Sequence, residues 1–287
     1  ISSGDFLMFY LGLELATIPM AALVAYNTSD SKSSESGLKL IMSAAFSSAV
    51  MLFGISLLYG QFGSTYYIDI IGADMANPVS ILAFIMFISA LAFKISLVPF
   101  HFWTADVYQG APTNITSYLS VISKGAAVFI FSILLFTVFK SLVGIWSDIL
   151  YILAITTMTI GNLFAIRQTD IKRFLAFSSV AQAGFILLGL LGTNELGMAT
   201  VIYFVLIYIF SNLAAFGVVV AIENATKKVE IDDYNGLYHT NPNMSLLMML
   251  ALFSLAGIPP LAGFFGKFFL FTSAAQMVIS GLFLLLL

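Results

Sequence analysis

The stretch Leu91-Ala-Phe-Lys-Ile-Ser-Leu-Val-Pro-Phe-His-Phe-Trp103 places a cation, a helix breaker and an imidazole inside a long apolar run. Lys94, Pro99 and His101 fall within about two helical turns of one another, with oily residues on either side. A soluble core rarely holds such a group, and a lipid-facing helix would be destabilised by it. The stretch therefore reads as the interior of a membrane bundle, with the other helices arranged around a polar path.

Composition supports this reading. The 287 residues are 60% hydrophobic and 9% charged, and the mean hydropathy is +1.03. Ordinary domains carry about 25% charged residues, so this chain cannot cover a soluble surface. Apolar runs of about 20 residues recur along its length, which fits many helices and not one anchor. The alternating pattern of a membrane barrel is absent. The predicted fold class is an all-α polytopic transmembrane bundle. Cysteine is absent and the histidines are His101 and His239, which excludes cysteine-ligated clusters and disulfides. No Gly-x-Gly-x-x-Gly marks a dinucleotide site. Nothing in the composition points to nucleic acid.

Nine apolar spans are expected, at about Phe6–Tyr26, Leu40–Tyr59, Val79–Trp103, Asn114–Val138, Ile145–Ile166, Phe174–Gly192, Gly197–Ile222, Met244–Ala275, and from Met277 onward. Alternate connecting loops hold seven basic residues (Lys32, Lys39, Arg167, Lys172, Arg173, Lys227 and Lys228), and the opposite set holds Lys140. This bias puts the first set in the cytoplasm or its organelle equivalent. The segment Gln61–Asn77 is too short and polar to span, and Glu223–Asn243 is either a solvated connector or a docking surface. The chain starts at Ile1 and stops in an apolar run at Leu287, so it reads as a single membrane domain, 1–287, cut from a longer subunit.

Four ionisable residues fall inside the spans: Glu14, Lys94, Lys124 and Lys267. Each costs roughly 2.5–3.5 kcal/mol on insertion scales, on the order of 10 kcal/mol together. They are either polar glue between helices or proton carriers. One acid against three bases argues against pairing alone, and a desolvated lysine readily exchanges its proton. His101, seven residues after Lys94, suits a relay or an interfacial position. Pro99 frees the carbonyl of Ile95, and Pro259 and Pro260 free those of Leu255 and Ala256. Breaks at membrane depth survive only where protein or water satisfies the freed groups. Discontinuous helices are thus expected at about 79–103 and 244–275. They stand five spans apart in the series, which predicts two inverted five-helix repeats, about 1–138 and 145–287, each incomplete. Ser178 and Gln182, one turn apart, would stand opposite Glu14 in the second repeat, to hold water or to bond a neighbouring helix.

Several motifs carry a family resemblance. They are Gly12-Leu-Glu-Leu15, Phe93-Lys-Ile-Ser-Leu-Val-Pro-Phe-His101, Trp103-Thr-Ala-Asp-Val-Tyr-Gln-Gly-Ala-Pro-Thr113 and Ser120-Val-Ile-Ser-Lys124. Asp170–Gly184 and Ser254-Leu-Ala-Gly-Ile-Pro-Pro-Leu-Ala-Gly-Phe-Phe-Gly-Lys267 continue the series. Together they resemble the antiporter-like membrane subunits of respiratory complex I (NADH–quinone oxidoreductase), and within these the subunit N branch. Ala105, Gln109 and Asn114 depart from the residues usual there. The resemblance implies a proton-translocating subunit in which Glu14 and Lys94 form a charge pair, Lys124 is the central relay and Lys267 the exit-side group. It implies membrane subunits of the complex and the lipid bilayer as partners. NADH, FMN, iron–sulfur clusters and quinone would lie in other subunits, with no redox centre or metal in this chain. A bacterial inner membrane is the implied location, with an organelle inner or thylakoid membrane as the alternative. The competing reading is a subunit of a multi-subunit sodium/proton antiporter or membrane-bound hydrogenase.

Overall fold

In a computed structural model, which describes residues 2–192 and 195–285 (side chains of 195 and 276–285 excepted), the described residues are helical, with two isolated β-bridges and no strands. In chain order they form α1 (Phe6–Val24), α2 (Ser31–Phe62), α3 (Tyr67–Ile70), α4 (Pro78–Ile95), α5 (Phe102–Gly110) and α6 (Thr113–Tyr118). A π-helical turn, Leu119–Ser123, joins α6 to α7 (Lys124–Phe136), and a 3₁₀ turn at Lys140–Leu142 precedes α8 (Val143–Ile166). Next come α9 (Ile171–Leu191), α10 (Glu195–Thr226), a 3₁₀ turn at Ile231–Tyr234, α11 (Leu237–Thr240), α12 (Pro242–Ala256) and α13 (Ala262–Leu285). Seven stretches among the described residues are long and apolar enough to cross a membrane, and α12 and α13 are shorter apolar helices over the residues searched. Large apolar side chains such as Leu15, Phe46, Phe102, Phe210 and Ile166 stand exposed, as expected where lipid is the solvent. Of the segment Gln61–Asn77, the first two residues end α2 and the remainder holds the short α3. Helix α13 runs unbroken to Leu285, past the point near Met277 where a ninth span was expected to begin.

The chain divides into two compact units, one of residues 1–112 and 126–149, the other of residues 113–125 and 150–287. The division passes through the expected fourth span, so it falls elsewhere than the repeat boundary read from sequence.

The two units share a local construction. In the first, Asp5 caps α1 by accepting from Met8 N at 2.8 Å. Phe6 N then bonds Thr65 O and Tyr67 N bonds Gly4 O, at 3.0 and 2.9 Å. In the second, Asp170 caps α9 by accepting from Lys172 N and Arg173 N. Ile171 N bonds Val229 O and Ile231 N bonds Thr169 O, at 3.0 and 2.7 Å. Further along, Asn77 caps α4 and Asn241 caps α12, each followed by proline at the first helical position. Proline is suited there because its missing N–H is one the helix leaves unbonded anyway.

The same helices also end alike. At the end of α4, Ser96 is left-handed (φ 67°), and Leu97 N reaches back to Ala92 O at 2.8 Å. At the end of α12, Gly257 is left-handed (φ 84°), and Ile258 N reaches back to Phe253 O at 3.0 Å. Both are Schellman stops. Each is followed by a cis X–Pro bond, at Val98–Pro99 and Pro259–Pro260, before the chain resumes as α5 or α13. Both expected discontinuities are therefore present, at Ser96–His101 and Gly257–Leu261.

The second break is held tight by Gly263, where a Cβ would sit 1.7 Å from Ser254 O. Gly263→Ala should cost more than about 2 kcal/mol, read as a lower thermal midpoint and a lower yield of assembled protein. Gly12→Ala, whose Cβ meets nothing within 4 Å, should be harmless in the same assay. Equal tolerance at the two positions would contradict the tight turn.

Candidate proton-transfer sites at the helix breaks

In the first unit, Lys94 occupies the last turn of α4. A cation there faces the negative end of the helix, where the final carbonyls lack intrahelical donors. Its Nζ donates to the hydroxyl of Thr17, which donates in turn to Leu13 O at 2.6 Å. Glu14, half-buried on α1, accepts from the Ser48 hydroxyl of α2. Glu14 thus lies within electrostatic reach of Lys94, but each has a hydroxyl as its recorded direct partner. Thr17 stands one turn after Glu14 on α1, so the helix presents both to the same neighbourhood. Phe93 O, another carbonyl beside the break, accepts from Trp103 Nε1 at 3.0 Å. His101 is buried in the connecting segment, its ring 4.7 Å from that of Phe102. The break turns the chain between Lys94 and His101, so the simple seven-residue helical spacing does not apply to them.

In the second unit, Lys267 is in the first turns of α13 and folds back over the end of α12. Its Nζ donates to Leu255 O at 2.7 Å and Ala256 O at 3.1 Å. These are the two carbonyls that Pro259 and Pro260 leave without donors. Gln182 Nε2, from α9, donates to the same Leu255 O at 3.0 Å. The ammonium also lies 4.3 Å from the centre of the Phe185 ring, a favourable place for a desolvated cation. The stem of Lys267 covers Gly257, where an added Cβ would meet Cδ at 2.9 Å. A cation, a proline pair and two glycines thus form a single device.

Lys124 is buried at the start of α7, directly after the π-turn. Its Nζ donates to Ser179 Oγ at 2.7 Å, and Ser179 donates to Ala176 O at 2.7 Å. The π-turn is itself held from α10: Tyr208 Oη lies 2.9 Å from Ser120 Oγ and donates to Ser120 O at 3.1 Å. Asn212 Nδ2 donates to Ser120 Oγ at 3.1 Å. A π-turn frees backbone groups and shifts helical register, and here the tyrosine takes the freed carbonyl. Ser178, singled out in the sequence, is half-buried, while its neighbour Ser179 meets Lys124. No group of metal-ligating side chains forms among the described residues.

The family described as NADH:quinone oxidoreductase/Mrp antiporter, transmembrane, matches residues 3–287. The chain belongs to this family. It is 55% identical over 275 residues to NADH-quinone oxidoreductase subunit N of Phocaeicola vulgatus, covering 96% of this chain and 58% of the relative. It is 45% identical over 275 residues to the subunit of the same name from Moorella thermoacetica, covering 95% and 58%. The chain thus spans 58% of the length of these relatives. Among solved structures it resembles a chain of respiratory complex I from Thermus thermophilus with bound Aureothin (TM-score 0.80, 32% identity, 96% of this chain and 60% of that one). It also resembles a chain of the Mrp complex from Dietzia sp. DQ12-45-1b (TM-score 0.88, 26% identity, 96% and 52%). This is an integral, multi-pass membrane fold shared by members of multi-subunit assemblies.

Sequence reasoning did not single out Thr17, Ser48, Ser120, Ser179, Phe185, Tyr208 and Asn212. Thr17 was detectable from its one-turn spacing to Glu14, and Asn212 as an amide inside an apolar span. Tyr208 and Phe185 carry no such signal, since aromatic residues are common in every span. Ser179→Ala should destabilise the protein by about 1–3 kcal/mol, because it takes a hydroxyl partner from a buried ammonium. Ser178→Ala should cost under about 0.5 kcal/mol. Thermal unfolding of the two variants measures the difference, and equal losses would contradict the assignment of Ser179 to Lys124.

Proposed function

We propose that this chain is part of the proton-translocating membrane subunit N of an NADH–quinone oxidoreductase. Electron transfer among NADH, FMN, iron–sulfur clusters and quinone takes place in other subunits, and this chain contributes buried proton-carrying groups with no redox or metal centre of its own. The observation that carries the reading is a lysine at each helix interruption. Lys94 ends α4 at one break, and Lys267 binds the bared carbonyls of α12 at the other. A scaffold needing only tight packing has no reason to place a cation at both breaks. The high identity to proteins named NADH-quinone oxidoreductase subunit N favours that assembly over a sodium/proton antiporter or hydrogenase.

In this scheme the chain carries two inverted repeats, with the basic loops in the cytoplasm of a bacterial cell. The repeated aspartate and asparagine caps, and the two Schellman stops, support this. Quinone chemistry in a neighbouring subunit perturbs Glu14. The acid that stabilises the Lys94 ammonium is then withdrawn, and Lys94 releases its proton toward Lys124. Lys124 passes a proton on toward Lys267, beside Gln182 and Phe185, and so out. Thr17 and Ser48 give the two partners hydroxyls to rest on while the pair separates, which lowers the barrier to parting them. His101 adds a second titratable group after the first break.

Lys94→Met in the complete complex should lower the protons moved per electron while the subunit still assembles. Proton uptake by vesicles carrying the complex, driven by NADH oxidation, measures this. Unchanged translocation would overturn the scheme.

A further inference from the structure

The second unit holds a polar seam that ends at Lys124 and whose other residues the relay above does not use. On one side are Thr113, Thr116, Ser120 and Lys124, spaced three, four and four residues apart along α6, the π-turn and the start of α7. Thr113, Thr116, Ser120 and Lys124 are all buried. On the other side α10 presents Tyr208, Asn212 and Glu223, and α6 and the π-turn pack against that helix. At the inner end lie two sets of bonded side chains. Lys124 bonds Ser179, Tyr208 pairs with Ser120, and Asn212 donates to Ser120. Asn212 Oδ1 is buried with no hydrogen-bond partner among the described residues, which leaves an acceptor open to water inside the seam.

At the outer end the Glu223 carboxylate accepts from the Thr113 hydroxyl and stands 3.7 Å from Lys172 Nζ. Glu223 is partly exposed, with 28% of its side chain open, whereas Lys172 is buried. Tyr234 closes this end, its hydroxyl buried and unpartnered among the described residues. Burial, with the charges of Glu223, Asp170 and Asp233, pushes the Tyr234 phenol up to about 12, so it stays protonated and offers a donor beside the acid. This end lies with the loops that carry Arg167, Lys172, Arg173, Lys227 and Lys228.

We propose that this seam is a proton-uptake path feeding Lys124, with Glu223 as the carboxylate that collects protons at its outer end. The proposal rests on the proton-translocation reading above. Glu223 takes a proton from water and becomes the neutral acid. It gives that proton to the seam and returns to the carboxylate, while a neutral Lys124 amine accepts one and becomes the ammonium. Thr113 to Thr116 to Ser120 advances about 4.5 and then about 6 Å along the helix, steps that one water each can bridge by way of the hydroxyls. Lys172 balances the charge of Glu223 and has no place in the path.

The test uses complete complexes in vesicles, with assembly checked by NADH oxidation with an artificial electron acceptor. Lys124→Met sets the reference: if it leaves proton translocation intact, the reading of function fails, whatever Glu223 does. Given a loss there, Glu223→Gln should lose as much translocation as Lys124→Met, while Glu223→Asp and Lys172→Met retain it. Full translocation in Glu223→Gln overturns the proposal. So do equal losses in Glu223→Gln and Lys172→Met, which would mark a structural ion pair. Should Glu223→Gln fail to assemble, Thr116→Val decides. It interrupts the hydroxyl series without touching the ion pair, and its loss, restored in Thr116→Ser, supports the path. Unchanged translocation in Thr116→Val overturns it.

Discussion

A backbone carbonyl bared inside a membrane must find a donor within the protein, and this requirement shapes both units. Hydrocarbon supplies no hydrogen bonds, so a helix interrupted at depth is stable only if something is built to serve the break. At the second break a lysine does this. Lys267 bonds Leu255 O and Ala256 O, and Gln182 shares the first of them. The arrangement works in both directions. The carbonyls supply the negative end of α12 to an ammonium that would otherwise be costly to bury, and the ammonium supplies donors to carbonyls that would otherwise be orphaned. A group held by such partners, with no carboxylate bonded to it among the described residues, can change its protonation without breaking an ion pair.

The first break uses related means with different partners. Lys94 sits before the left-handed residue and bonds a threonine of α1, whereas Lys267 lies after its break and reaches back. Trp103 serves the carbonyl of Phe93. Both breaks retain the same Schellman geometry, with Ser96 at one and Gly257 at the other. Ser96 keeps a conformation that a glycine adopts more easily. The units therefore share a backbone plan, and their chemistry diverges through the side chains set upon it.

Much of this was legible in the sequence for a physical reason: a charge or a proline in an apolar span is conspicuous because it is unfavourable. The all-helical membrane fold, both interruptions and the two carbonyls bared before Lys267 follow from that contrast. What remained hidden were the partners. Hydroxyls such as Thr17, Ser48 and Ser179 add little to hydropathy, and their roles depend on which helix faces which. Ser179 lies next to the expected Ser178, and one residue on a helix is a rotation of about 100°. The π-turn before Lys124 has no sequence signature at all. A tyrosine and an asparagine of α10 hold it in the structure. The two-unit division cuts the fourth span, where hydropathy shows no discontinuity.

The central claim is that the interrupted helices exist to hold exchangeable cations along a hydrated route. A map of the complete complex at a resolution that shows individual waters tests this most directly. The account predicts ordered waters joining Lys124, through Ser179 and Gln182, to the Lys267 ammonium at the α12 break. A dry, fully packed apolar layer between Lys124 and Lys267 in every resolved state would contradict it, and would return the buried lysines to the role of structural glue.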